Sequence, residues 1–489
     1  MDTSVVFAGD LPAATLSDRA RRGQLVRLGV GVYTSDVTSD PAAVVTRDWH
    51  TIFGRMFPSA VITDRSALTG GPVEGVLYLA HDGRGREAHL PGMTVLVRTG
   101  AGPLGGDIAL PGGLYQAGKG RALAENTRAS RSRDDRIRRT LDWTELGDWI
   151  DRLCQVDGAQ RLAGYREQAE RVADAVGAPR EGIRKLSQMI GAALGTQQVH
   201  TASEALTARQ ASLPYDQERI SRFDRLVTAL RESAPQNRPV HDPHDLRYAY
   251  LPFFEAYFSN FIEGIEFELD EAIAVVYEGK RIPGRRDDSH DLLGTYKVVS
   301  DLNEMTTISA TADEFLQLLK GRHATILGGR PDRRPGYFKE VPTRAGDSAF
   351  VLPGLVAGTL AAGWRRLSDL DTAFERAVYM MFLVSEVHPF DDGNGRLARV
   401  MMNAELVTGM QSRIIIPTVF RDDYLGGLRR MTRQDDPSVL IKALRYAHDY
   451  TAQIDFSNLT PATETLQATN AFHEPDSDYR LALPTSLSR

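Results

Sequence analysis

The chain has 489 residues, 42% hydrophobic and 25% charged, with a formal net charge of -6. That length suggests two to four domains at roughly 100–200 residues each; the composition is that of a soluble globular protein, and mild acidity does not call for nucleic acid beyond a local basic patch. A single cysteine, Cys154, excludes an internal disulfide framework and a cysteine metal cluster and suits a reducing cytosol, hence a cytoplasmic expectation.

The first residues, MDTSVVFAGDLPAATLSDRARRG, lack a basic start and a long apolar run, so no signal peptide is expected. No apolar run approaches the ~18 residues of a spanning helix. The first 200 residues or so are rich in Gly, Arg, Thr and Val, and SAVITD, GVLYLA and MTVLVRTG read as short strands between turn residues. LDWTELGDWIDRLCQV and RLAGYREQAERVADAVG carry apolar residues at helical spacing. The pattern breaks near Gly195, which marks a domain boundary. From about Ser212 to Phe456 the chain reads as helical, with candidates over 216–234, 248–262, 313–327, 371–387 and 395–410. Residues 331–354 are the exception; their Pro/Gly punctuation and alternation predict a β-hairpin. The Ser/Thr/Pro-rich tail after Phe456 is expected to be mostly disordered.

The most informative stretch is HPFDDGNGRLAR, residues 388–399, which ends one helical pattern and begins another. A helix N-terminus offers unpaired N–H groups and partial positive charge to an anion. Gly393 and Gly395 let the backbone turn and approach a ligand without a Cβ, and successive N–H groups there form an anion nest. Asn394 can donate an amide hydrogen bond. Arg396 and Arg399 lie on one side of the new helix and can each grip phosphate oxygens. Asp392 is a hard oxygen ligand suited to Mg²⁺. His388 alone in the segment can take a proton near neutral pH, as a base for a hydroxyl attacking phosphorus must.

This segment resembles the Fic family signature, HPFx[D/E]GNGRxxR, at every specified position. The resemblance implies a mainly α Fic (Fido) catalytic domain with a β-hairpin flap, and transfer of AMP from ATP to Ser, Thr or Tyr of a protein. It implies His388 as general base and Asp392 as Mg²⁺ ligand. Gly393, Asn394 and Gly395 would cradle the α- and β-phosphates, with Arg396 assisting, and Arg399 would hold the γ-phosphate. The related Doc-type kinases carry a lysine where this chain has Gly395, which favours AMP transfer over phosphorylation.

Upstream, SNFIEG (259–264) resembles the inhibitory motif [S/T]xxxE[G/N] of many Fic proteins, 125 positions before His388. It implies Glu263 as a brake, with Ser259 and Gly264 completing the motif: a carboxylate on Arg399 competes with the γ-phosphate for one guanidinium. In some relatives the same glutamate positions water for AMP removal, so de-AMPylation is an alternative. RPGYFKEVPTRAGDSAFVLP resembles the family flap, which aligns a target segment by β-addition; Lys339, Glu340, Val341, Pro342, Thr343 and Arg344 fall in its working part. RDDYLGGLRR resembles the adenine-pocket wall, with Tyr424 as a contact or a core residue.

TLSDRARRGQLVRLGVGVYTS resembles the wing of AbiE-type antitoxin winged-helix modules through Arg21, Arg22, Gly23, Leu25, Arg27, Leu28, Gly31 and Tyr33. Only about 14 residues precede Thr15, so the module reads as truncated. It and the basic run Arg128 to Arg139 make DNA a candidate partner. The expected organisation is multidomain: a winged-helix-like module at 1–60, an α+β antitoxin-like region at 61–200, a Fic domain at 205–456 and a flexible tail at 457–489. A DNA-binding regulator with a Fic sensor half is the competing reading. ATP and a protein target are the implied partners; many Fic proteins oligomerise, but no residue pattern here fixes an assembly.

Overall fold

A computed structural model describes residues 4–131, 136–280, 282–476 and 478–484. The chain forms two compact units, residues 1–211 and 212–489, each with its own core.

In the first unit, a three-stranded antiparallel sheet places Val5–Phe7 and Val26–Gly29 on either side of Val32–Thr34, with the helix Ala13–Arg21 between the outer two in sequence. Among the described residues, one helix precedes the hairpin. Beyond it lies a six-stranded mixed sheet in which Val76–His81 pairs parallel to Met93–Thr99. The alternating burial of Met93, Val95 and Val97 fits a strand with one face on the core. The boundary expected at residue 60 is absent: Val5, Leu28, Val44 and Phe53 share one apolar cluster with Ile62, Leu77 and Val95. A second cluster joins Leu123, Trp149, Leu162 and Ile190 to Leu206, so the unit runs past 200, to 211.

The second unit is mainly helical with one small hairpin. At its centre run Ala373–Val387 and Asn394–Thr408. Both are buried on nearly every side; the first is largely apolar, whereas the second carries Arg396, Arg399, Asn403 and Glu405 into that burial. Thr372 opens the first with a capping box to Glu375. The six-residue loop between the two helices therefore sits on a deeply buried pair of helices. The hairpin is shorter than the Pro/Gly-rich segment around it, pairing Arg344–Ala345 with Ser348–Ala349.

The flexible tail expected after 456 is corrected over its described part. Residues Leu459–Ala468 form a helix, Ala462 and Leu466 are fully buried, and Phe472 stacks on Phe258 with ring centroids 5.4 Å apart. Its polar composition hid a short amphipathic helix whose few apolar residues recur at three- and four-residue spacing.

Candidate active site

His388 ends the helix Ala373–Val387 in the left-handed region, φ 52°, with its N–H donating to the Val384 carbonyl at 3.0 Å. A non-glycine residue there is uncommon and is held by its surroundings. The imidazole lies face to face with Phe350, 3.8 Å between centroids and 5° between planes. Enclosure, then the nearby Lys339 ammonium, push its pKa down to about 4, against the opposing pull of Glu263, Asp392 and a hydrogen bond to the Ser385 backbone. At neutral pH the ring is uncharged and able to accept a proton.

The next helix starts with Gly393 in the left-handed conformation, φ 72°. Asn394 is fully committed: its Oδ1 accepts from the Phe390 N–H and its Nδ2 donates to the Phe390 carbonyl, both at 2.9 Å. The side-chain amide thus clasps the loop. Arg396 also has protein partners. Its guanidinium turns inward, 2% exposed, onto Asp291 at 2.7 Å, with Asp392 at 3.6 Å. Arg396 and Arg399 thus diverge rather than share a ligand. Asp392 is partly exposed, its Oδ1 accepting from the Gly393 N–H at 2.7 Å.

Arg399 is held by the helix Leu251–Ile262. Its Nε donates to Ser259 Oγ at 2.9 Å, and its Nη2 donates to the Ser259 carbonyl at 2.8 Å and to Glu263 Oε1 at 2.7 Å. Glu263 caps that helix, and Gly264 follows at φ +83° as its left-handed stop. The carboxylate also lies over the new helix's first turn: a Cβ on Gly395 would stand 2.2 Å from Glu263 Oε1. Glu263 therefore occupies the space that only a glycine leaves open, at an N-terminus that attracts anions. Arg399 is 4% exposed, whereas the Glu263 side chain is 28% exposed.

Glu263, His388, Gly395, Arg399 and Tyr424 line one cleft of about 550 Å³, closed on another side by Ala345, Gly346, Ser348 and Phe350 of the hairpin. Tyr424 is buried to 1%, its hydroxyl 3.3 Å from Met381 Sδ, so it is both core and cleft wall. Glu340, Val341, Pro342 and Arg344 are exposed, and Thr343 is half-buried. Lys339 is not on the exposed edge, being 2% exposed.

Three side chains around this site carry no motif. Asp291 anchors Arg396 and, at 3.2 Å, Arg330; burial raises its pKa while Arg396 pulls it back. Its spacing to Leu292, Thr295, Val298 and Val299 marks an acid on an apolar helix face. His323 stacks on Phe390 at 3.7 Å, receives the Gly336 N–H on Nδ1 and meets the Asp392 carbonyl at 3.0 Å through Nε2. It sits in register with buried Phe315 and Leu319. Glu386, two residues before His388, gathers Arg219, Arg222 and Thr432.

In the first unit the expected wing residues lie on the helix Ala13–Arg21 and the hairpin after it, with Leu25 and Leu28 buried and Arg21, Arg22 and Arg27 exposed. Three arginines of the basic run have partners within the unit: Arg128 donates to the Val176 and Gly177 carbonyls, Arg136 pairs with Glu87 and Arg138 with Asp142. Its residues 132–135 lie outside those described.

Residues 313–406 match the Fic/DOC family model. The chain is 26% identical over 249 residues to protein adenylyltransferase Fic of Nematostella vectensis, covering 48% of this chain and 56% of that protein. It is 27% identical over 293 residues to protein adenylyltransferase fic-1 of Caenorhabditis elegans, covering 53% and 54%. The chain thus spans about half the length of the curated relatives it matches. Among solved structures, C. elegans Fic-1 (residues 134–508) aligns at 20% identity and a TM-score of 0.38, covering 63% of this chain and 96% of that one. Among the described residues, no helix is long and apolar enough to cross a membrane.

Proposed function

We propose that this chain transfers AMP from ATP to a hydroxyl side chain of a protein, and that Glu263 restrains it. The observation that carries the reading is the Glu263 carboxylate seated on Arg399 and over Gly395, in the cleft that also holds His388. A carboxylate there imitates a phosphate group: it is anionic, it takes the guanidinium, and it sits at a helix N-terminus.

With Glu263 swung aside, Arg399 takes the γ-phosphate and the N–H groups at the start of the helix 394–408 hold the other phosphates. Arg396, fixed on Asp291, supports this turn through its charge rather than by direct grip. The hydroxyl oxygen of the target attacks the α-phosphorus. Its proton passes to the imidazole nitrogen of His388 not engaged by Ser385, the bond from the α-phosphorus to the bridging oxygen breaks, and pyrophosphate leaves. A neutral imidazole is the form this step needs. The hairpin strand Arg344–Ala345 would present its backbone to an extended target segment.

Asp392 is the residue that would hold Mg²⁺. One partly exposed carboxylate beside a phosphate cradle fits a cation that binds through few carboxylates plus phosphate oxygens and water, and no cluster of three metal-binding side chains exists among the described residues. Bound there, Mg²⁺ would neutralise phosphate charge.

The test is intact mass after incubation with ATP and Mg²⁺. Glu263→Gly should gain the mass of AMP on itself or on a protein acceptor at a rate at least about 10-fold above wild type, since the brake competes for one charge-assisted contact. Adding His388→Ala should cut that rate by at least about 100-fold. Equal rates with and without Glu263 would remove the brake; transfer surviving without His388 would remove the base.

A further inference from the structure

Lys339 sits among exposed neighbours in the flap segment, yet its own side chain is buried. A buried ammonium needs partners that repay its lost water. Its Nζ donates to Thr343 Oγ1 at 2.9 Å, lies 3.5 Å from the Val387 carbonyl, and is 5.7 Å from the centre of the Phe350 ring. Its backbone N–H donates to the Pro389 carbonyl at 2.9 Å. The residues immediately before and after His388 therefore both present a carbonyl to Lys339. The circuit closes through the flap: the Phe350 N–H donates to the Thr343 carbonyl at 3.2 Å, and the Phe350 ring stacks on the imidazole.

We propose that Lys339 is a positioning residue for His388, clamping the chain on both sides of the imidazole and holding Phe350 of the flap against its face. The strained backbone of His388 is the kind of conformation that persists only when its surroundings over-determine it, and Lys339 supplies contacts from two directions. Its role is not to bind nucleotide, because it does not line the cleft. It also adds a positive charge beside the imidazole, which disfavours the imidazolium. Glu263, Asp392 and the Ser385 backbone favour the imidazolium, so Lys339 and burial together keep the ring neutral. The ammonium's own pKa is lowered to about 8 by burial and Arg219, with Asp391 opposing, so it is largely charged at neutral pH.

The kinetic half of the test rests on the AMP-transfer reading; the spectroscopic half does not. In the Glu263→Gly background, Lys339→Met keeps the length of the side chain without charge, and Lys339→Arg keeps the charge. The imidazole of His388 is titrated by NMR, and kcat and KM for ATP are measured by AMP incorporation. Lys339→Met should raise the His388 pKa by roughly one unit, the effect of one lost neighbouring charge. It should lower kcat roughly 10-fold through misplacement of the base, with KM for ATP within about 2-fold. Lys339→Arg should keep the low pKa. An unmoved His388 titration in Lys339→Met, or a loss in Lys339→Arg as large as in Lys339→Met, would overturn the proposal. So would a change confined to KM. If no variant transfers AMP while the His388 titration still moves as stated, the clamp stands and the AMP-transfer reading falls.

Discussion

Both units of this protein bury arginines against carboxylates, and they do so to different ends. In the first unit, Arg121 pairs with Asp107 and Glu125, and Arg98 with Asp64 and Glu125. Every carboxylate in that network is at most 1% exposed. In the second unit Arg399 is buried, but its partner Glu263 is partly open to solvent and faces a cleft. A closed network has no competitor and can only hold the fold. A pair with one exposed member beside open volume can be exchanged for another anion. Buried charge alone does not mark a site; an exchangeable partner does.

The largest effect that would sharpen this contrast is on stability. Arg121→Met should destabilise the first unit by about 3–5 kcal/mol, because it strands buried Asp107 and leaves Glu125 ion-paired with Arg98 alone. Arg399→Ala should cost far less, since Glu263 can turn to water. Denaturant unfolding followed by the tryptophans, all four of which are counted in the sequence, would measure both; similar losses would erase the distinction. A smaller effect tests whether Glu263 truly fills the glycine cradle. Gly395→Ala should cost stability in the wild type and less in Glu263→Gly, with a coupling of about 1 kcal/mol between the two positions; strictly additive losses would mean that the carboxylate gives way freely.

The smallest and most gradual effect is with pH. His323, His388 and His448, all in the second unit, have pKa values lowered by burial from 6.5 to about 4. Each is neutral when folded, so the unfolded chain binds more protons between those values. Their contribution is fully present above about pH 6.5 and is lost as pH falls toward about 4. Stability measured from pH 8 to 4 should stay level and then decline through that window, and His323→Gln should make the decline shallower. A flat profile across the window would show that these rings are not held neutral.

Much of the candidate site is local, and to that extent it is legible in one dimension. His388, Gly393, Gly395 and Arg399 lie within twelve consecutive positions, and their placement follows from a loop that caps one helix and starts the next. Glu263 was legible through the resemblance of residues 259–264 to the family's inhibitory motif. The partners were not. Asn394 spends its amide on Phe390, Arg396 turns to Asp291, and Lys339 goes under the base rather than onto the flap's edge. Each outcome depends on a group brought in by folding, and residue type alone cannot say which of two neighbouring arginines meets an acid inside and which meets one at a cleft.

By itself, the sequence determined the helical character of the second half, the loop-to-helix junction at 388–394 and the hairpin, because these depend on periodicity, capping and turn chemistry over short stretches. Tertiary structure alone decided that residues 1–211 share cores across the boundary expected at 60, and that the polar tail folds back as a helix onto Phe258. It also decided which carboxylate faces Arg396. The physical reason is the same throughout: local free energies choose the element, but burial and charge pairing between distant segments choose what each element touches.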